Sequence, residues 1–289
     1  MSSVLDIRVA GWEIAPSPDC RAALALENGD VLFLSTLRFD LRSNEYTLCS
    51  SGTVAGQKNV SFDPSSGRVS GTTLGGDHAQ TLKEMLNRFS RSASALADGV
   101  LPRYRGRLQR GRASFRPAEV AGRATSWRND DTRLHVDAFP ASPVHGKRIL
   151  RVFTNVNPNG RPRSWRLGEA FELVVERFAS KLRMPMWGSA ELLRLLRITN
   201  TRRSAYDALM LQLHDRMKTD TDYQTQAPGT PVDFPAGTTW MAFTDQVSHA
   251  ATAGQFQLEQ TFYLPVDGML DARRSPLRVL ERFKGRRLA

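Results

Sequence analysis

Apolar residues along the chain recur with two different periods. Within residues 79–97, Leu82, Met85, Leu86 and Phe89 lie three and four apart, which predicts an amphipathic helix. Residues 148–157 (RILRVFTNVN) read as a strand. Two more strands are predicted over 238–243 and 255–264. A Phe234-Pro235-Ala236-Gly237 turn precedes the first, and a loop over 250–254 precedes the second. Residues 1 to about 75 look β-rich, with 23–34 reading as strand, turn and strand about Asn28-Gly29-Asp30. Residues 189–218 interrupt the β pattern with a helical stretch whose apolar positions are Leu192, Leu193, Leu195, Leu196, Leu209, Leu211 and Leu213. The fold class is therefore mainly β with helices.

One short motif gives this pattern a chemistry. His135-Val136-Asp137 sits in RLHVDAFP, and alternate residues of an extended chain project to the same side. His249 follows after a further 111 residues, between two predicted strands. Two imidazoles and one carboxylate can occupy one face of an octahedral metal, which is the ligand set of non-haem Fe(II) oxygenases. A third ligand from a distant strand requires a sheet closed on itself. The other reading of a lone His-x-Asp is a surface strand or turn.

Charge narrows the partners. The formal net charge is +11 and is arginine-heavy, which points to a polyanion such as nucleic acid, a phospholipid surface or a phosphorylated substrate. A basic solvated surface is the plainer alternative. No aromatic platform or nucleic-acid motif is evident, so no nucleic-acid partner is expected. No run of eighteen apolar residues and no secretory signal is seen, and the expected location is cytoplasmic. Cys20 and Cys49 lack metal spacing and fit a reducing compartment, although sequence leaves a single disulfide open. From Met269 onward seven Lys/Arg stand against two acidic residues, with Leu277, Val279, Leu280 and Phe283 interleaved. That segment suits either an anionic membrane surface or a docked terminal helix. The basic stretch 101–114, with Arg103, Arg105, Arg107, Arg110 and Arg112, fits equally a solvated loop and an anion-facing edge at a site entrance. So do Arg194, Arg197, Arg202 and Arg203 of the helical stretch.

The segment SWRNDDTRLHVDAFPASPVHGKRILRVFTNVNPNGRPRSWRLGE, the later LEQTFYLP and the early ALENGDVLFL resemble the Kdo 3-hydroxylases of Gram-negative bacteria. The resemblance spans most of the chain. It implies an Fe(II)- and 2-oxoglutarate-dependent dioxygenase, with dioxygen as second cosubstrate. The implied product carries a hydroxyl at C3 of the outer Kdo (3-deoxy-D-manno-oct-2-ulosonic acid) sugar of Kdo2-lipid A, giving Ko in lipopolysaccharide. It places the iron ligands at His135, Asp137 and His249. The implied core is a double-stranded β-helix (jelly-roll, cupin-like) over 120–265 within a single 1–289 domain. Residues 1–119 support it, 189–218 form a helical insert and 266–289 a basic tail. Hydroxylation of another sugar, lipid or protein by the same machinery is the close alternative; a basic membrane- or RNA-binding module is the distant one. A lipid-linked substrate implies a protein held peripherally at the cytoplasmic face of the inner membrane.

Many 2-oxoglutarate oxygenases carry an Arg or Lys about ten residues after the distal histidine; here the residue eleven after it is Gln260. Gln260 shares strand parity with Leu258 and Phe262, so it points inward, but it cannot supply a positive charge. Arg151, sixteen residues after His135, is the leading substitute for holding the cosubstrate. Asn155 shares its parity, and Arg163 and Arg166 are further candidates; a surface or salt-bridge role fits each arginine as well. His78 and His145 read as polar-loop residues, with a substrate contact as the alternative for His145; His214 reads as a structural or solvated residue of the helical stretch, and Asp130 and Asp131 as a turn.

Overall fold

The computed structural model describes residues 2–16, 19–55 and 59–289. The N-terminal region supplies β1 (Val4–Asp6), α1 (Arg21–Glu27), β2 (Val31–Leu34), β3 (Val60–Asp63), β4 (Arg68–Ser70), α2 (Gly76–Val100) and β5 (Gln109–Arg116). The middle of the chain adds β6 (Arg148–Asn155), β7 (Arg163–Leu167), α3 (Phe171–Phe178), α4 (Ser189–Leu195), α5 (Ala205–Thr219) and α6 (Thr221–Gln226). Then come β8 (Thr230–Phe234), β9 (Thr239–Phe243), β10 (His249–Ala253), β11 (Gln257–Leu264) and α7 (Pro276–Lys284).

Eight strands form one sheet in the order β1-β2-β9-β6-β11-β5-β3-β4, and three form a second in the order β10-β7-β8. Every pairing is antiparallel except β1 with β2. Phe153 and Trp240 of the large sheet pack with Trp165 and Phe234 of the small one, so the two sheets share an aromatic core, as a jelly roll does. The opposite face of the large sheet carries Leu150, Val152, Met241, Leu258 and Phe262, and α1 and α2 cover it with Leu26, Leu82, Leu86 and Phe89. Strand β6 is buried along its whole length because both of its faces are covered. Behind the small sheet, α3, α5 and α7 form a third apolar layer around Val174, Leu209, Leu213 and Leu280.

Two sequence expectations are corrected. Residues 23–27 are helical, not a strand. Ala and Leu are strong helix formers, no residue in RAALALE is β-branched, and Ala22, Ala25 and Leu26 fall on one buried face. Gly29, at φ 86°, then turns the chain into β2. Residues 250–253, expected as a loop, continue β10 from His249, because pairing with β7 overrides an Ala-rich composition. The basic C-terminal segment forms α7, capped by Ser275, whose hydroxyl accepts from Arg278 N at 3.2 Å. Leu277, Val279, Leu280 and Leu288 are buried there, so this apolar face packs against the domain. Cys20 and Cys49 are not joined by a disulfide. Among the described residues no helix is long and apolar enough to cross a membrane.

Candidate active site

The His-x-Asp segment is extended but belongs to neither sheet's ladder. His135 bridges His249 through reciprocal backbone hydrogen bonds of 3.0 and 2.9 Å, and Asp137 N donates to Thr244 O at 2.7 Å. This bridge at the end of β10 brings the three side chains together. One ligand atom from each of His135, Asp137 and His249 lies within 4.8 Å of the others. His135 Nδ1 lies 2.7 Å from Arg133 O, and His249 Nδ1 lies 2.8 Å from Val247 O. A carbonyl only accepts, so each Nδ1 carries the proton and each Nε2 offers its lone pair. The His249 ring stacks on Trp165, with centroids 4.9 Å apart, which fixes its plane.

The electrostatics suit a cation. Burial holds both imidazoles below the ordinary histidine range, and for His135 the neighbouring His249 and Lys218 act in the same direction. Burial would push the Asp137 carboxyl up, but the Arg151 guanidinium beside it holds the group below the usual carboxylate range. Arg151 Nη2 lies 3.1 Å from Asp137 Oδ2, yet that buried oxygen has no hydrogen-bond partner. Two neutral imidazole lone pairs and an orphaned carboxylate oxygen are the donors a divalent metal requires, and the site fits one.

The imidazole shifts carry a pH consequence. Below pH about 6.5 an unfolded chain takes up protons that the folded chain refuses until lower pH. Folded stability that is present above that value is therefore lost as pH falls, by up to about 1.4 kcal/mol per pH unit for each imidazole. The melting temperature of the metal-free protein is expected to drop between pH 7 and 5. The drop should shrink in His135→Gln; a flat profile in the wild type would contradict the buried neutral pair.

A cavity of about 530 Å³ opens onto the triad. Arg116, Arg128, Arg151, Arg163 and Lys218 line it, against Asp131, Asp137, Asp215 and Glu259. Glu259 joins Arg116 to Arg151: its Oε2 accepts from Arg116 Nε at 3.0 Å and its Oε1 from Arg151 Nη1. Arg116 also pairs with Asp131 at 3.3 Å. Arg163 differs. It is 2% exposed, donates from Nη1 to Gly254 O at 2.6 Å, and leaves Nε without a partner. Among the described residues no carboxylate forms an ion pair with it. Burial, followed by the adjacent Arg116 charge, brings its pKa down to about 10.

Three candidate residues lie outside the cavity. Asn155 has the parity of Arg151 but sits at the far end of β6, where its Nδ2 donates to Arg161 O and Phe234 O, each at 3.0 Å. Gln260 points to the face covered by α2. Its Nε2 donates to Gly111 O at 2.9 Å and Thr261 O at 2.7 Å, where the β11–β5 register shifts. Its inward orientation was readable from parity, but that side of β11 is the one away from the triad. Arg166 alternates with Arg163 on β7 and turns outward, donating to Gln224 O at 2.9 Å and to Ala227 O. The exposed Arg103, Arg105, Arg107, Arg110 and Arg112 do not line the cavity either; Arg116, on β5 with Arg110 and Arg112, does. His145 Nε2 meets Arg202 O at 2.8 Å, away from the triad, and Asp130 makes the turn expected of it by accepting from Thr132 N at 3.0 Å. Sequence reading missed Arg116, Arg128, Lys218 and Glu259. It gave His214 a structural or solvated role on the helical stretch and did not foresee that this ring lies edge-on to His135 at 5.5 Å, on the cavity wall. The available signal was the Arg128-to-Asp131 cluster just upstream of the motif.

Comparison with known proteins decides the family. Residues 10–287 match the family model described as 3-deoxy-D-manno-oct-2-ulosonic acid (Kdo) hydroxylase. The chain belongs to the Kdo hydroxylase family. It is 42% identical to the Kdo hydroxylase KdoO, a non-haem Fe(II) α-ketoglutarate-dependent dioxygenase solved with α-ketoglutarate and Fe(III). That match covers 100% of this chain and 98% of that one, with a TM-score of 0.96. KdoO with cobalt(II) is 44% identical, with a TM-score of 0.96 over 99% of this chain and 97% of that one. KdoO with succinate and Fe(III) is 42% identical, with a TM-score of 0.95 over 99% and 97%. No curated protein matches. The double-stranded β-helix expected from sequence is thus the fold of a Kdo hydroxylase.

Proposed function

We propose that this chain is an Fe(II)- and 2-oxoglutarate-dependent dioxygenase that hydroxylates C3 of the outer Kdo sugar of Kdo2-lipid A. The observation that carries the reading is the buried His135–Asp137–His249 cluster facing a cationic cavity, in a chain that matches Kdo hydroxylases along its length. His135 Nε2, His249 Nε2 and Asp137 hold the iron. When bound, the iron supplies oxygen activation, coupled to conversion of 2-oxoglutarate and dioxygen to succinate, carbon dioxide and one hydroxyl group on the sugar.

The protein's own residues bind and orient. Arg151 keeps Asp137 ionised and Glu259 keeps Arg151 in place, so the carboxylate faces the imidazoles. Arg163 anchors the far carboxylate of 2-oxoglutarate. A buried guanidinium without a carboxylate costs several kcal/mol, on the order expected for an unpaired buried ion, and a cosubstrate carboxylate offsets that cost. Charge balance supports the assignment. Five cationic side chains face four carboxylates, so a divalent ion brings the cavity to +3. A dicarboxylate cosubstrate and one sugar carboxylate neutralise it. Arg128, which pairs with Asp215 at 3.4 Å, His214 and Lys218 line the same cavity and supply its donors toward the sugar acid. The expected location is the cytoplasmic face of the inner membrane, where such a lipid is presented.

Succinate release tests the substrate class. It is expected to rise at least tenfold when Kdo2-lipid A is added with Fe(II), ascorbate and 2-oxoglutarate, and to stay at background with lipid A that lacks Kdo. Equal release with both lipids would contradict recognition of the sugar.

A further inference from the structure

The segment between α3 and α5 presents apolar side chains to solvent. Trp187 is fully exposed at 101%, Met186 is 82% exposed and Leu195 76%. Leu192, Leu196 and Ile198 are more than half exposed. Exposed Trp and Leu crowded into one short segment mark an interaction surface, not the scatter of single apolar residues normal on a protein.

Three features identify the occupant. Arg183, Arg194 and Arg197 alternate with these residues, and among the described residues none of the three pairs with a carboxylate. A cationic, apolar surface of this kind would repel a second copy of a chain that carries +11, but it complements an anionic bilayer. Trp and Met at the tip, with Arg around them, suit the boundary between headgroups and acyl chains. The segment also adjoins the mouth of the triad cavity. The hollow beneath α4 shares Leu211 and Asp215 with that cavity. Asn200 N donates to Ala141 O at 2.9 Å and Arg203 Nη2 to Pro140 O at 2.6 Å, which ties the segment to the loop carrying Phe139 and Pro140 at the cavity wall.

We infer that residues 183–198 dock the protein on the surface of an anionic phospholipid bilayer, with Trp187 and Leu195 inserted and the cavity mouth facing the headgroups. In α7, by contrast, Leu277, Val279 and Leu280 are buried and only Phe283 among its large apolar side chains is exposed, so this helix offers a bilayer mainly charge. The inference rests on the reading of a lipid-linked substrate, but its primary readout is vesicle binding. Full-length protein is sedimented with vesicles of phosphatidylcholine containing 30% phosphatidylglycerol, and with pure phosphatidylcholine. Binding to the anionic vesicles is expected to weaken with salt. It should fall at least tenfold in Trp187→Ser/Leu195→Ser and at least threefold in Trp187→Ser alone, whose fully exposed side chain supports no packing. Unchanged binding in both variants, or no anionic-vesicle binding by the wild type, overturns the inference. So does a concentration-dependent dimer that Trp187→Ser dissociates, which would make the patch a self-association face. Loss of vesicle binding with full turnover of a Kdo oligosaccharide that lacks acyl chains separates this surface from the catalytic reading.

Discussion

His249→Ala is expected to abolish turnover while leaving the fold intact. On the proposed reading the imidazole supplies one of three protein ligands, and its Nδ1–H is engaged by Val247 O, so Nε2 is the nitrogen lost to the metal. Loss of an outer-shell partner alone typically costs 10–100-fold in metal affinity or activity, and loss of the ligand itself is expected to exceed about 100-fold. Asp137→Ala should behave alike and also leave Arg151 with one carboxylate in place of two. The check is Fe(II) stoichiometry, by anaerobic titration, beside circular dichroism. One tightly bound Fe(II) in His249→Ala, with native turnover, would remove the triad from the chemistry.

The second large effect concerns Arg163. Arg163→Met is expected to raise the apparent requirement for 2-oxoglutarate by about 10–150-fold, the equivalent of one charged hydrogen-bond set worth about 1.5–3 kcal/mol. Metal affinity should hardly change. Stability should hold or rise, because the substitution removes a buried charge that forms no ion pair among the described residues. Arg151→Met makes the informative contrast. Its guanidinium touches Asp137 and Glu259, so its loss should weaken the metal first and 2-oxoglutarate second. The reverse ranking in steady-state titrations of the two variants would exchange their roles.

The parts of the fold that were legible are those whose local pattern and tertiary setting agree. The helix about Leu82 to Phe89 and the strands about 148–157, 238–243 and 255–264 stand where the periodicity puts them, as α2, β6, β9 and β11. Alternation misled where composition outweighed it: ALALE reads as period two, yet Ala and Leu favour a helix and α1 forms. In β10 the reverse occurred, since an Ala-rich strand is defined by its partner β7 and not by its own propensity. The triad was visible because two of its members are two residues apart in sequence and the third lay in a predicted hairpin. The cavity wall was not. Arg116 and Glu259 meet only through the β5–β11 pairing, and His214 reaches His135 only because α5 packs over the small sheet. Parity gave the orientation of Gln260 correctly, but no local signal says which face of a doubly covered strand holds the chemistry.

Incubation of the protein with Kdo2-lipid A, Fe(II), 2-oxoglutarate and ¹⁸O₂, followed by tandem mass spectrometry of the sugar and of succinate, tests the central claim most directly. The account predicts one labelled oxygen at C3 of the outer Kdo and one in succinate, both dependent on His135, Asp137 and His249. Labelled succinate with unmodified Kdo in the wild-type reaction would contradict it.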